Sequence, residues 1–417
     1  MKYLIVFIIL VFPLNIIAQE DLNLEKCLQA AVENHPRAGD KELMESISGN
    51  NILNVNSKWK PEVNLNGQFT YQSDVIDIGD MAIVGFPLAP QDQYKLYFDL
   101  KQTFYDGGRI KQQKVIEEIS MKSGLKQLES EIETVKADVI EMYYNILQLQ
   151  EGIDIQSLMM TLLEEKEAII FTGIENGVMM ESDLSLLEIE ILQIEQEKRS
   201  SELQKNAIIY VLSGKCNLEM NENTVFTQSN LAFKVSELNR RELEFFQSQK
   251  ELLDATMVIK EKNRLPVLYG FGQLGYGNPG LNMLSDEFDT YYYVGAGLKW
   301  NLWDWKDTRR EKENLVYQNN LIDNKKLEFE QNVRDALINQ QSVIQSHEEN
   351  ITSLKILLEK RMGIVKTYES QLREGTIKTI DYLSVVNEEK IARIKLLNEN
   401  ISLQKAIAKY NYLNGEL

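Results

Sequence analysis

The chain has 417 residues and a formal net charge of −18 at pH 7. This acidity argues against a nucleic-acid-binding protein, because phosphate binding needs a basic face and none stands out in the sequence. The two cysteines, Cys27 and Cys216, form no CxxC pair, and the two histidines, His35 and His347, are isolated, so no metal or dithiol redox motif can be read. A glycine-rich phosphate loop and a nucleophile elbow are also missing from the sequence. We therefore expect no enzyme, no catalytic residues, no cofactor and no metal.

Residues 1–19 have the pattern of a secretory signal peptide. Lys2 is followed by the apolar run YLIVFIILVF and then by PLNIIAQ, which is the order of a positive start, a short hydrophobic core and a cleavage region. The apolar run is too short to span a bilayer. We expect cleavage near Ala18 or Gln19 and export of the chain from the cytoplasm.

The remaining chain is a tandem duplication. Early in each half, identical residues recur 205 positions apart: Asn34 and Asn239, Pro61 and Pro266, Gly67 and Gly272, Gln68 and Gln273, Tyr71 and Tyr276. Later in each half the spacing is 198: Leu100 and Leu298, Lys101 and Lys299, Asp106 and Asp304, Gly177 and Gly375, Asp183 and Asp381. We assign the first repeat to residues 20–217 and the second to residues 218–417.

Each repeat contains two stretches that alternate apolar and polar residues with the period of a β-strand. We predict strands at residues 62–72 and 93–104 in the first repeat and at residues 267–277 and 291–303 in the second. The third stretch, VLYGFGQLGYG, is rich in glycine and ambiguous. Segments of about 10–12 residues have the length of tilted membrane-spanning strands. The alternation alone fits a half-buried soluble sheet equally well.

Long helices follow the strands, and each is followed by a return helix. We predict the long helices at residues 107–175 and 305–373 and the return helices at residues 182–213 and 379–414. Apolar residues between Leu125 and Ile153 recur at steps of three and four, which is typical of a coiled-coil seam. The 71 positions from Asp106 to Gly177 would give a helix of roughly 100 Å.

Shorter features complete the helical part. Pro36 suits the first position of a helix that runs to about Trp59, and Gly214 suits the end of the first return helix. In the second long helix the seam is more polar, with Gln340 and His347 on it. We expect both to make hydrogen bonds within the seam rather than to form a metal ring in a channel lumen.

Three features together resemble the TolC-type outer-membrane efflux protein family, the outer membrane factors. They are the segment LNLEKCLQAAVENHPRAGDKELMES, the FYDGGR of residues 104–109 that opens the first long helix, and the two glycine-to-aspartate turns, ENGVMMESD and REGTIKTID. The resemblance covers nearly the whole chain after residue 19. The second copy departs from it, because LWDWKDTRR has Trp305 and Lys306 where FYDGGR has two glycines. We therefore expect the strand-to-helix corner to be built differently there.

The resemblance implies a mainly α fold with a membrane β part. Four strands per chain would combine in a homotrimer into a 12-stranded β-barrel, continued by an α-helical barrel of long coiled-coil hairpins. A mixed belt would lie around residues 23–34 and 215–236. Cys27 and Cys216 both fall in this belt, where an oxidising periplasm would permit, but does not require, a disulfide.

The resemblance also implies a function. Such proteins lie in the outer membrane, contact its lipid, extend into the periplasm, and serve as exit ducts in tripartite efflux or type I secretion. They dock through their helical tips with a periplasmic adaptor protein and an inner-membrane transporter. Two alternatives stay open: a periplasmic adaptor, which would have one hairpin and lipoyl-like strands, and a structural coiled-coil protein, which would lack the strands.

We expect the two glycine-to-aspartate turns to be the tips that meet the adaptor. The first tip has Gly177, Val178, Met179, Met180, Ser182, Asp183 and Leu184, and the second has Gly375, Thr376, Ile377, Lys378 and Asp381. Locally, the glycines suit left-handed helix C-caps, and Ser182 and Thr379 suit N-caps with an aspartate in the first turn.

The local capping chemistry does not explain apolar residues at an exposed turn, which favour a protein contact. By resemblance, Asp381 would help to ring a closed periplasmic entrance on the threefold axis and attract cations there. We expect Arg373 and Lys378 to pair with Asp183 or Asp381 and to hold that gate shut. Each such exposed pair contributes only about 0–1 kcal/mol, so several would have to act together.

Overall fold

The computed structural model describes residues 22–75, 90–233, 235–283 and 285–417. The predicted signal peptide and most of the loop between the first two strands lie outside these ranges. The helices are α1 (Leu24–Glu33), α2 (Asp40–Ser57), α3 (Arg109–Glu133), α4 (Val135–Glu175), α5 (Glu181–Cys216), α6 (Arg241–Lys262), α7 (Asp307–Arg373) and α8 (Thr379–Asn414). The strands are β1 (Glu62–Tyr71), β2 (Asp92–Tyr105), β3 (Val267–Asn278) and β4 (Asp289–Lys299).

These residues form two compact units. The sheet unit consists of Gly39–Glu131 and Arg241–Gln331 and holds all four strands. The helical unit consists of residues 22–38, Ile132–Arg240 and Asn332–Leu417, apart from the undescribed residue 234. Each unit therefore takes segments from both sequence repeats.

In the sheet unit, the four strands form one antiparallel sheet in the order β1-β2-β3-β4. The pairing of β2 with β3 joins the first repeat to the second, with Leu96 opposite Tyr276 and Leu100 opposite Gly272. The predicted combination of long helices with four strands is confirmed, and the sheet is continuous across the repeat boundary.

The described part of the helical unit holds three apolar clusters, of which the smallest comprises Ile344, Ala406, Ile407 and Tyr410 and the other two include residues of α4. The first surrounds Tyr143 and Tyr144, which are completely buried among residues of α1, α4 and α5, including Cys27 and Cys216. The second, which we call the tip cluster, comprises Ile155, Met159, Leu163, Ile170, Leu187, Ile194, Leu372, Tyr382 and Leu383. α4 contributes to both clusters. Val139 and Ile146 of the predicted seam lie in the first cluster, and residues beyond the predicted end of the seam at Ile153 lie in the second.

The first long helix is divided, whereas the sequence predicted one helix over residues 107–175. α3 ends at Glu133 and α4 begins at Val135, with a turn at Thr134. Thr134 keeps helical angles, φ −61° and ψ −24°, but its carbonyl accepts a hydrogen bond from Ala137 N, three residues on, at 3.2 Å. A tighter turn therefore replaces the regular ladder there. Its counterpart α7 is a single helix of 67 residues.

Two helix ends differ from those predicted. α2 begins at Asp40 rather than at Pro36, because residues 36–39 form a turn in which Ala38 N donates to His35 O at 2.8 Å. α5 passes through Gly214 and ends at the buried Cys216, and Asn217 takes the left-handed conformation with φ 51°. Asparagine tolerates this conformation, so glycine is not needed at that position. Among the described residues, no helix combines the length and the apolar composition needed to cross a membrane.

Candidate functional site

The sheet carries one continuous apolar face. Residues directly opposite each other in an antiparallel pair point to the same side, so the register places on one face Val63, Leu65, Phe69, Tyr71, Tyr94, Leu96, Phe98, Leu100, Leu268, Leu274, Tyr276, Tyr292, Val294 and Leu298. All of them are exposed, up to 81% for Val294. A soluble sheet normally covers such a face, and an uncovered apolar patch of this kind marks a protein or membrane contact.

The opposite face is polar at β1 and rich in glycine and aromatic rings at β3 and β4. Asn64, Asn66 and Gln68 lie on it, and Lys101 places its ammonium 5.2 Å from the centre of the Tyr269 ring. A Cβ at Gly275 would lie 2.5 Å from the Tyr291 ring on the paired strand. The rings thus occupy space that side chains on the glycines would need, which explains why the ambiguous stretch VLYGFGQLGYG forms a regular strand.

The outer strands β1 and β4 each pair on one side only within the described chain. A row of unpaired backbone groups is a template for another strand. It is not tolerated in lipid, where every backbone donor and acceptor needs a protein partner. A sheet that faces lipid must therefore close with further strands.

The first corner between strand and helix is closed by Asp106, which is buried. Its carboxylate accepts hydrogen bonds from Gly108 N at 2.8 Å and Ile110 N at 2.6 Å. Gly107 and Gly108 have φ of 72° and 79°, which glycine adopts without strain. Arg109 then donates to three carbonyl oxygens of the turn before β3, those of Lys262 (3.2 Å), Asn263 (2.9 Å) and Leu265 (2.8 Å).

The second corner has the same backbone, so the expectation of a different construction was wrong. Asp304 accepts hydrogen bonds from Lys306 N at 3.1 Å and Thr308 N at 3.2 Å. Trp305 and Lys306 have φ of 51° and 65°, the left-handed region that the two glycines occupy in the first corner. Such a conformation costs residues with a Cβ about 1–2 kcal/mol each. The carboxylate of Asp304 holds both residues in this conformation.

The two turns predicted as tips have matching backbones in the helical unit. Gly177 and Gly375 have φ of 71° and 68°, which confirms the predicted left-handed C-caps. After each glycine the chain turns back onto the helix that it leaves, with Val178 N donating to Gly173 O at 2.9 Å and Thr376 N to Gln371 O at 2.9 Å.

The predicted N-caps are wrong by one or two residues. The N-caps of α5 and α8 are Met180 and Lys378, not Ser182 and Thr379. The aspartate three residues into each helix reaches back, with Asp183 Oδ2 2.9 Å from Met180 N and Asp381 Oδ2 3.4 Å from Lys378 N. The N3 backbone donors, Asp183 N and Asp381 N, bond the carbonyls of Met180 and Lys378 at 2.9 and 3.1 Å, so these donors have acceptors although the N-cap side chains carry no oxygen.

Side chains of the two turns divide into inward and outward groups. Met179, Leu184 and Ile377 are half-buried against the tip cluster. Val178 and Met180 are 66% and 73% exposed, and Ser182, Thr376 and Lys378 are also exposed. A groove of about 630 Å³ is lined by residues of both turns, with Gly173, Val178 and Met179 from the first and Leu372 and Gly375 from the second. The two turns therefore form one surface.

In the described part of the chain, Arg373 pairs with Glu369, four residues earlier on α7, with Nη2 3.8 Å from Oε1, and Lys166 donates to the same oxygen at 2.5 Å. The pairing of Arg373 and Lys378 with Asp183 or Asp381 stays a prediction. The hydrogen bond from Lys166 lowers the pKa of Glu369, while burial raises the pKa of neighbouring Tyr382 to about 12. Asp183 and Asp381 use their carboxylates on their own helix starts.

Sequence reasoning missed the pair Lys166 and Glu369. The one available signal is the position of Lys166 between Leu163 and Ile170 on the apolar seam of α4, where it is 9% exposed. A lysine on a buried face needs an acceptor. The partner lies 203 positions away, and its identity cannot be read from α4 alone.

The polar seam residues have partners as predicted. Gln340 Nε2 donates to Ala406 O at 3.1 Å, and His347 Nδ1 lies 2.5 Å from Glu399 Oε2. Among the described residues, no group of three or more histidine, cysteine or acidic side chains could hold a metal ion. Cys27 and Cys216 are free thiols, with Cys216 Sγ 3.4 Å from Cys27 O.

The chain has the fold of bacterial outer-membrane channels. No protein-family model matches the sequence, and no curated protein matches it significantly. Among solved structures, the chain is similar to CusC, with a TM-score of 0.70, 10% identity and coverage of 95% of this chain and 92% of that one. It is also similar to the CmeC outer-membrane channel of Campylobacter jejuni, with a TM-score of 0.64, 12% identity and coverage of 95% and 86%.

A third similar structure is the open state of the MtrE outer-membrane channel of Neisseria gonorrhoeae, with a TM-score of 0.64, 12% identity and coverage of 94% of this chain and 89% of that one. At such low identities the likeness establishes the fold. The resemblance read from the sequence is thereby confirmed for the fold, over nearly the full length of the chain.

Proposed function

We propose that the chain is an outer-membrane channel, the exit duct of a tripartite efflux or type I secretion system, located in the outer membrane and reaching into the periplasm. The observation that carries this proposal is the exposed apolar face of the four-stranded sheet. Fourteen exposed apolar side chains on one face of strands 10–14 residues long suit contact with outer-membrane lipid.

The proposed assembly is a homotrimer. Four strands with two open edges cannot span lipid alone. Three copies supply twelve strands, enough to close a barrel around a channel. The polar face that carries Asn64, Gln68 and Lys101 would then line the lumen, and the face that carries Val294 would contact lipid.

The two alternative classes fit less well. A periplasmic adaptor works in water, where the uncovered apolar face of the sheet would be a liability. A structural coiled-coil protein has no use for the strands at all. The presence of two helical turns with matching caps, at Gly177 and Gly375, also departs from the single hairpin expected of an adaptor.

The proposed docking surface for a periplasmic adaptor, and through it for an inner-membrane transporter, is formed by the two turns. Val178 and Met180 project outward beside the groove of about 630 Å³. Exposed apolar side chains beside a groove lined by both apolar and polar residues are suited to a protein contact. Asp381, exposed at the start of α8, is proposed to face the channel entrance in the trimer.

The experiment that tests the channel is a measurement of mass and conductance. The full chain is extracted in detergent, its oligomeric mass is measured, and it is added to planar lipid bilayers. A trimer with stepwise conductance is expected. A monomer that produces no conductance would rule out the exit duct and leave the adaptor or the coiled-coil protein.

The docking surface is tested by photo-cross-linking from single positions in living cells. A photoreactive residue at Val178 or Met180 should cross-link to a periplasmic adaptor, which mass spectrometry identifies. Val211, 50% exposed on α5, is the matched control because it is an exposed valine outside both turns. Equal adaptor capture from Val211 would contradict docking at the turns.

The gate is tested with substitutions that keep the helix caps. Asp381→Asn removes the charge and retains an oxygen that can accept from Lys378 N, so it avoids the loss of about 0.5–2 kcal/mol that removal of a capping side chain causes. Asp381→Asn should weaken block by divalent cations or raise conductance, and Asp183→Asn is the matched comparison. Unchanged values in Asp381→Asn would exclude Asp381 from the entrance.

A further inference from the structure

The second strand-to-helix corner carries aromatic and cationic side chains that the first corner lacks. Through the spacing of 198, Trp305 and Lys306 replace Gly107 and Gly108. By the same spacing, Trp300 replaces Gln102 and Arg309 replaces Lys111. Both corners nevertheless have the same backbone and the same aspartate cap. The replacements therefore add side-chain chemistry to a corner that is already closed.

Trp300 shows this most clearly. Its indole Nε1 donates to the carbonyl of Arg264 at 3.1 Å. In the first repeat, Gln102 Nε2 makes the equivalent bond to the carbonyl of Trp59, at 2.6 Å. A glutamine is thus sufficient for this contact. The tryptophan ring adds an apolar body, 55% exposed, two residues beyond Leu298 on the apolar face of the sheet.

An open groove of about 920 Å³ lies beside this ring. Arg264, Arg309 and Lys312 line it as cations, and Glu261 and Glu313 line it as acids. Arg309 Nε lies 3.0 Å from Glu313 Oε1, and Lys312 Nζ bonds Glu261. These pairs are on the surface, with the Arg309 side chain 73% exposed. Such pairs are weak, so their members can turn to a ligand at little cost.

The groove combines three properties: donors suited to a phosphate, carboxylates suited to an ammonium group, and an aromatic wall continuous with the apolar face. Arginine binds phosphate oxygens in a two-pronged geometry. A tryptophan with one polar and one apolar edge is typical of the boundary between membrane and water.

We propose that this groove binds the headgroup of a phospholipid that carries a phosphate and a primary ammonium group, with its acyl chains along the apolar face of the sheet. Arg309 and Arg264 bind the phosphate, Glu261 and Glu313 accept from the ammonium, and the Trp300 ring packs on the glycerol and the first methylenes. The mixed charge of the groove is the reason for a zwitterionic headgroup over an anionic one. This inference rests on the proposed membrane function.

The test is native mass spectrometry of the full chain in detergent with an equimolar mixture of phosphatidylethanolamine, phosphatidylglycerol and phosphatidylcholine. Preferential retention of phosphatidylethanolamine is expected. Arg309→Gln and Trp300→Gln should each weaken it about tenfold, which corresponds to roughly 1.4 kcal/mol. Trp300→Gln restores the residue that makes the equivalent hydrogen bond in the first repeat, so the turn is kept. Lys111→Gln, at the position equivalent to Arg309, is the matched control and should retain the preference.

Each other result overturns the inference. Stronger retention of phosphatidylglycerol would mean that the groove prefers anionic headgroups. Equal retention of phosphatidylcholine would mean that Glu261 and Glu313 do not accept hydrogen bonds from the ammonium group. Displacement of the lipid by free phosphoethanolamine at equal concentration would exclude the contribution of the acyl chains. Conductance of the same preparation separates the two proposals, because a conducting trimer without lipid preference refutes only the headgroup site, and a protein that does not conduct refutes the channel.

Discussion

Val294→Lys is the substitution that separates a membrane sheet from a soluble one. Val294 is the middle residue of β4, lies on the apolar face and is 81% exposed. On a soluble surface, a change at so exposed a position alters stability by no more than about 0.5 kcal/mol. At the midplane of a bilayer, a lysine on the lipid face of a barrel costs about 2–4 kcal/mol. This corresponds to a loss of roughly 30- to 700-fold in the folding equilibrium constant.

The assay is folding of the urea-denatured chain into lipid vesicles, followed by tryptophan fluorescence across a urea titration. Gln273→Lys is the matched control, because Gln273 lies on the opposite face of the neighbouring strand, directly paired with Tyr293. The control should stay close to the parent chain, while Val294→Lys should lose the stated free energy.

Equal small effects for the two variants would refute the assignment of the apolar face to lipid. A larger loss for Gln273→Lys would reverse it, placing the polar face outward. Valine has a higher β propensity than glutamine, but the whole propensity scale spans only about 1 kcal/mol, so it cannot account for a gap of several kcal/mol between the two variants.

Three further predictions concern the helical unit. Tyr143→Phe should lower the unfolding free energy by about 1–3 kcal/mol in thermal melts, because the Tyr143 hydroxyl lies 2.8 Å from Leu22 O and 2.6 Å from Thr227 O in a buried site. Tyr144→Phe is the control and should be neutral, because the buried Tyr144 hydroxyl has no partner among the described residues. An equal loss in both variants would contradict the role of these hydrogen bonds. Cys27 should resist iodoacetamide at pH 8 in the native protein and react in denaturant, because its hydrogen bond with Cys216 and its burial raise the pKa of its thiol. A protein mass lower by two hydrogens would indicate a disulfide and contradict the free thiols. Lys166 lowers the pKa of Glu369, so the ionised carboxylate should stabilise the helical unit at pH values above 4.5, the ordinary pKa of glutamate, and this contribution should be lost as the pH falls through the lowered pKa. Glu369→Gln should flatten the acid side of the plot of unfolding free energy against pH. An unchanged plot would show that the pair does not contribute.

The parts of the fold that sequence predicts well are those with a strict period. The predicted strand ends lie within four residues of the observed ends, because a shift of one residue would move every apolar side chain to the other face. The steps of three and four along α4 placed Val139, Ile146 and Ile153 on its buried side, whereas Met142 and Leu149 are half-buried. Repetition at 198 positions then related the two turns and the two corners before any contact was known.

The details that sequence did not predict depend on which of several local solutions the chain uses. Ser182 is a good N-cap by type, but the N-cap is Met180, two residues earlier, where Asp183 accepts from Met180 N and donates its own N–H to Met180 O. Gly214 is a good helix end by type, but burial of Cys216 extends α5 past it. The pair of Arg373 and Glu369 follows the i,i+4 spacing within α7, but the bond from Lys166 to the same carboxylate comes from another helix and could not be read from α7 alone.

The hydrogen bonds of Arg109 bear on the origin of the chain. Arg109 belongs to the first repeat but closes a turn of the second, through the carbonyls of residues 262–265. The equivalent position in the second repeat is Asp307, whose ionised side chain has no donor and cannot bond a carbonyl of the first repeat. If the two repeats were separate polypeptides, they would therefore not be interchangeable. The first would supply Arg109, and the second would have the carbonyls that Arg109 binds. The second repeat thus depends on an arginine of the first repeat, which favours keeping both repeats in one polypeptide.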